Sequence, residues 1–138
     1  MKKLIFVLLL ALGGLTAQAQ VAFETQSTDA VRALAVKSSK LVFIDLYATW
    51  CGPCRMMERD VFSRKEVGEF MNQRFVCAKY DVDKALGQEL MQKYGSGSIP
   101  LYLIFNTKGE LLGRIVGAVA ADEFMTNIRT ILAKKPVK

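Results

Sequence analysis

The stretch that decides the fold is Leu41–Cys54, LVFIDLYATWCGPC. Its first half, Leu41 to Tyr47, is an apolar run of strand length with one charge, Asp45, inside it. A run that short and continuous suits a strand buried on both faces. Its second half, Trp50-Cys51-Gly52-Pro53-Cys54, sets two cysteines three positions apart where a helix is about to begin. Cysteines so placed can close a disulfide without moving the backbone. Pro53 suits a first helical turn, where its missing N–H costs nothing. Free backbone N–H groups and the helix dipole favour an anion at the first sulfur, so Cys51 reads as the nucleophilic thiolate. Cys54, one turn further in and shielded, reads as the resolving thiol that attacks a mixed disulfide on Cys51.

Working outward, the spacing predicts strands alternating with helices. Ser27, Thr28 or Asp29 can cap a helix carrying Val31, Leu34 and Ala35. Cys54 to Asp60 reads as helix, and Ser63 with Glu66 has the capping-box pattern for another helix to about Gln73. Phe75 to Asp81 (FVCAKYD) is a second buried strand, and Asp83 can cap a helix reaching Tyr94. Gly95 to Ser98 is a loop by composition. Leu101 to Phe105 and Glu110 to Val116 flank a hairpin connection, and Phe124, Ile128, Ile131 and Leu132 mark a last amphipathic helix. That order gives one α/β domain with a mixed central sheet flanked by helices.

Composition narrows the chemistry. The 138 residues contain no histidine and three cysteines, which excludes histidine bases, histidine-rich zinc sites and a disulfide scaffold. A zinc or iron–sulfur site at the CxxC would need further ligands, and only Cys77 remains. Cys77 itself, in an apolar strand and on the same face as Lys79, reads as a buried small hydrophobe. The reading calls for no metal and no cofactor.

The N-terminus has the layout of a secretory signal peptide: Met1-Lys2-Lys3, the apolar run Leu4 to Leu12, then Ala17-Gln18-Ala19 as an A-x-A cleavage site. Nine apolar residues fall short of the ~18 needed to span a membrane. Residues 1–19 are therefore read as the leader and 20–138 as the mature domain, with no stable span after cleavage. Removing the leader lowers the net charge from +6 to +4, leaving 17 basic and 13 acidic residues. Part of that charge lies in the tail at Lys134, Lys135 and Lys138, so no nucleic-acid surface is called for.

From roughly Thr28 to Leu132 the chain resembles the thioredoxin superfamily. The resemblance rests on WCGPC together with Asp45, Lys79, Ile99-Pro100 and Val116-Gly117-Ala118. It implies a thioredoxin fold, with Asp45 as the buried acid that relays a proton to and from Cys54. Lys79 is then the lysine paired with Asp45, Ile99-Pro100 the Ile–cis-Pro beside the active site, and Gly117 part of the groove edge. Trp50, Gly52, Pro53, Ile99, Pro100 and Gly117 form the implied substrate-binding set. The bland alternative for Asp45 is a carboxylate satisfied by Lys79 and nothing more.

The segment Cys54 to Phe62 is similar to the C-terminal thioredoxin-like domain of the electron transporter DsbD, because Arg59 stands where ordinary thioredoxins carry a proline. By that resemblance Glu58 and Asp45 tune the Cys51 pKa. The competing reading of Glu58 is a solvated helix face with Arg55 or Arg59 nearby.

Direction of electron flow follows from the dipeptide between the cysteines. Strong oxidants of this superfamily resemble CPHC or CGHC, whereas Gly52-Pro53 resembles the reducing motif. The difference between roughly −270 mV for thioredoxin and −120 mV for DsbA is ~7 kcal/mol for two electrons. The expectation is a periplasmic, monomeric protein-disulfide reductant acting on oxidised exported proteins. No nucleotide-binding glycine loop is present, so electrons would come from a membrane thiol donor of the DsbD kind. The rival expectation is a thioredoxin-fold binding or chaperone module with little redox turnover.

Overall fold

The computed structural model describes residues 20–95 and 97–134; the leader assigned to residues 1–19 lies outside them. Five strands form one sheet: β1 (Phe23–Glu24), β2 (Leu41–Tyr47), β3 (Phe75–Asp81), β4 (Leu101–Phe105) and β5 (Leu111–Val116), in the spatial order β1-β3-β2-β4-β5. β2 runs parallel to β3 and antiparallel to β4, and β4–β5 is an antiparallel hairpin. The sheet is therefore mixed, as the element order led us to expect.

Both faces of the sheet are covered, which is why its central strands are apolar at nearly every position. Odd-numbered residues of β2 and β3 and even-numbered residues of β4 face one way: Phe43, Phe75, Cys77, Tyr102 and Ile104. They pack under α2 (Gly52–Met57), α3 (Lys65–Arg74) and α5 (Ala121–Ala133). Val42, Ile44, Leu46, Ala78, Leu101 and Leu103 face the other way, under α1 (Thr28–Ser38) and α4 (Ala85–Tyr94). Asp45, two residues after Phe43 on β2, shares its face and so points to the α2 side.

Three local expectations are corrected. The helix expected over Cys54 to Asp60 is not continuous: α2 ends at Met57, and a π-helical turn, Glu58–Phe62, follows. Wider π-turns fit an extra residue into a helix and often mark functional sites. Here the turn buries both Val61 and Phe62, and the Phe62 ring meets Phe23, Phe43, Tyr102 and Phe124 edge-on.

Ser63 does not cap α3; its hydroxyl donates to the Arg59 carbonyl at 2.5 Å, and Arg64 is the residue before the helix. Asp83 does not cap α4, because its carboxylate is engaged elsewhere and Lys84 precedes the helix. Ser27 does cap α1, accepting from the Ala30 N–H at 3.3 Å.

β1 carried no periodic signal in the sequence. It is held by pairing with β3, by Val21 N–H donating to the Phe62 carbonyl, and by Asn72, whose side chain bonds the backbone of Gln20 and Ala22.

Candidate functional site

The site assembles where β2 ends and α2 begins. Cys51 is the residue before α2, and Cys51 and Cys54 are disulfide-bonded with Cα atoms 5.3 Å apart. The Cys51 sulfur accepts from the Cys54 N–H at 3.2 Å, so a backbone donor is already aimed at the atom that carries charge when the pair is reduced. Both cysteines are buried to a similar degree, packed with Ala48, Ile99, Tyr47 and Val82. The sequence anticipated shielding of Cys54; the disulfide form shields Cys51 as well.

Asp45 sits beneath this pair, 3% exposed, and its Oδ1 has no hydrogen-bond partner. Burial pushes its carboxyl pKa up to about 7, with the Lys79 ammonium pulling it down and the Glu58 charge pushing it up. A cavity of about 250 Å³ reaches it, lined by Asp45, Cys54, Arg55, Glu58 and Lys79 among others. The protonatable carboxyl and the second cysteine therefore share one polar opening.

Lys79 lies opposite Asp45 in the β2–β3 register, but it is not paired with it. Its ammonium donates to Glu58 Oε1 at 2.7 Å, its one ion pair among the described residues. This corrects the expected Lys79–Asp45 pairing. The end of α2 sets the half-exposed Glu58 carboxylate within reach, so the ammonium need not be drawn into the protein beside a buried one. Burial alone would lower the Lys79 pKa; the hydrogen bond and charge of Glu58 outweigh it, and the net value is raised. Glu58 is thus not simply a solvated helix face, and Arg59 is bonded to Asp60 instead.

Around the cysteines, Trp50 is 65% exposed and held at its edge, its indole N–H donating to Asp83 Oδ2 at 2.7 Å. Asp83 is itself fixed by its N–H on Asp81 Oδ1. The Ile99–Pro100 peptide bond is cis, Ile99 packs against the cysteine pair, and Gly117 N–H donates to the Pro100 carbonyl at 2.8 Å. Gly117 adopts φ +90, a conformation that glycine tolerates best. Gly52 meets nothing where a side chain would begin, leaving open space beside the motif. Exposed Val116 continues this surface.

Sequence reasoning missed Asp83 as the anchor of Trp50 because its position just before a helix read as a cap. Met57 was also missed; its sulfur accepts from the Val119 N–H at 3.3 Å and ties α2 to the loop after Gly117. Cys77 is buried and free, with burial pushing its thiol pKa up. Among the described residues no group of three or more Cys, Asp or Glu side chains could hold a metal ion, and no helix is long and apolar enough to cross a membrane.

A disulfide at a strand–helix junction, a buried carboxyl below it and a cis-proline beside it form one constellation, and a family model described as thioredoxin-like matches residues 22–107. The chain belongs to the thioredoxin-like family. It is similar to thioredoxin Y1 of Arabidopsis thaliana chloroplasts, 34% identical over 80% of this chain and 61% of that one. The chain therefore spans less than two thirds of that relative's length. Among solved structures, a Bacteroides thetaiotaomicron protein assigned as a disulphide-isomerase matches with TM-score 0.77 and 36% identity, covering 86% of this chain and 99% of that one. The C-terminal domain of Neisseria meningitidis DsbD matches in fold, with TM-score 0.65 at 23% identity, covering 79% of this chain and 98% of that one. This thioredoxin-like chain has the thioredoxin fold, with a Cys51–Cys54 disulfide at its candidate site.

Proposed function

We propose that this chain is an exported protein-disulfide reductase. The observation that carries the reading is the Cys51–Cys54 pair over a carboxyl poised near pH 7, with no histidine anywhere in the chain to stabilise a dithiol as strong oxidants do. In the reduced protein the Cys51 thiolate attacks a substrate disulfide. One substrate sulfur bonds to Cys51 and the other leaves as a thiolate, which takes a proton. Asp45, ionised, then accepts the Cys54 proton across the shared opening, and the Cys54 sulfur attacks Cys51. The second substrate thiolate leaves, and the oxidised pair described above is regenerated.

Re-reduction runs the same path backwards: a donor dithiol opens the disulfide, and protonated Asp45 returns its proton to Cys54. A membrane thiol carrier of the DsbD kind fits the donor role, because a chain carrying the expected leader meets no cytoplasmic reductant. Trp50, Gly52 and Pro53 adjoin the cysteines in sequence, Ile99 packs against them and Gly117 is bonded to Pro100. In this reading the six serve as the substrate surface, where the Ile99 backbone can pair with an extended segment. The leader expected at residues 1–19 supports export, and the reading assigns the reaction to the periplasm.

Turnover of insulin disulfides with dithiothreitol as donor tests the reading. A reductase accelerates insulin precipitation at catalytic concentration. A rate equal to that of dithiothreitol alone would instead support a binding module that keeps its CxxC without turnover.

A further inference from the structure

Among the described residues two buried side-chain polar atoms have no hydrogen-bond partner: Oδ1 of Asp45 and the hydroxyl of Tyr102. They belong to directly opposed residues of β2 and β4, on the same face of the sheet. Tyr102 is fully buried, stacked on Phe43 with ring centroids 5.5 Å apart and held edge-on by Phe62 and Phe124. The ring cannot turn its hydroxyl to solvent. After burial, the charges of Asp45 and then Glu58 weigh most on that hydroxyl, so it lies within the field of the relay carboxyl. A phenylalanine would fill the same aromatic cluster without the penalty of an unpaired hydroxyl. Two orphaned groups on paired residues therefore call for one explanation.

We infer that Tyr102 is a positioning residue for the proton relay, its hydroxyl donating to the Asp45 carboxylate through one buried water. A buried water needs at least two polar partners, and Asp45 Oδ1 and the Tyr102 hydroxyl supply them. The donor favours the ionised form of Asp45, the form that takes the Cys54 proton. This inference rests on the reading of Asp45 as the relay. The charged groups acting on Asp45 are Lys79 from β3 and Glu58 from the π-turn; Cys54 of α2 shares its opening, and the Cys77 thiol of β3 lies within its field. From α3 and α5 the core receives apolar side chains such as Val67, Met71, Phe124 and Ile128.

The test uses the reduced full-length protein with a thionitrobenzoate disulfide, which releases colour once when Cys51 is captured and again when Cys54 resolves the adduct. In Tyr102→Phe the first step keeps its rate. The pH midpoint of the second rises by about one pH unit, tenfold in proton affinity, because the carboxylate has lost a donor. The variant is no more stable to urea than the parent. An unmoved midpoint in a more stable protein overturns the inference, since the hydroxyl would then be merely unpaired. Asp45→Asn separates the two levels of the argument. If it slows the second step and Tyr102→Phe does not shift it, Tyr102 has no role. If it leaves the second step untouched, the relay itself fails and the Tyr102 inference with it. In the Asp45→Asn background, Tyr102→Phe should change nothing further.

Discussion

Lys79 and Asp45 stand opposite one another across the parallel pair β2–β3, yet the Lys79 ammonium is bonded to Glu58 at 2.7 Å. The buried carboxyl is thereby left without its cation as a direct partner, and burial raises its pKa to about 7, opposed only in part by the Lys79 charge. Glu58 acts on it twice, by its own charge and by holding Lys79.

Replacing Glu58 tests that arrangement. Glu58→Gln removes the negative charge and loosens the tether on Lys79, and both changes favour an ionised Asp45. The Asp45 pKa in the oxidised protein should fall by roughly one pH unit, read by carbon NMR of the carboxyl. An unchanged or higher value would mean that Glu58 does not control the relay.

Asp45 also makes stability depend on pH. Its carboxyl titrates at 3.8 when free and at about 7 in the fold. Between those values the folded protein keeps a proton that the unfolded chain gives up, so this group's contribution to stability falls as pH rises from about 4 to about 7. Above that window the loss is on the order of 4 kcal/mol. Asp45→Asn should therefore stabilise the oxidised protein at pH 8 and have much less effect at pH 4, measured by urea unfolding. The same difference at both pH values would contradict the raised pKa.

The π-turn depends on Phe62, which is 3% exposed and meets four aromatic rings. Phe62→Ala should cost about 3–5 kcal/mol in urea unfolding. A loss below ~1 kcal/mol would show that the ring does not anchor the turn.

The central strands were legible because LVFIDLY and FVCAKYD are apolar on both faces, a pattern that only a covered sheet explains. The disulfide motif was legible for a similar reason, being a short local pattern at a strand–helix junction. What escaped were choices between nearby partners. Ser63 can turn to a helix start or back to the Arg59 carbonyl, Asp83 to a helix or to Trp50, and Lys79 to Asp45 or Glu58. Those choices depend on which groups the folded chain brings together, and for Ser63 on the π-turn just before it, which local spacing does not show. β1 escaped because two residues carry no period, and Tyr102 because a tyrosine in an apolar strand reads as packing.

The most direct test of the central claim is to export the full chain with Cys54→Ser and separate its complexes under non-reducing conditions. Our account expects mixed disulfides between Cys51 and exported proteins that dithiothreitol releases, and none from Cys51→Ser. Equal trapping by Cys51→Ser, or no complexes from Cys54→Ser, would contradict it.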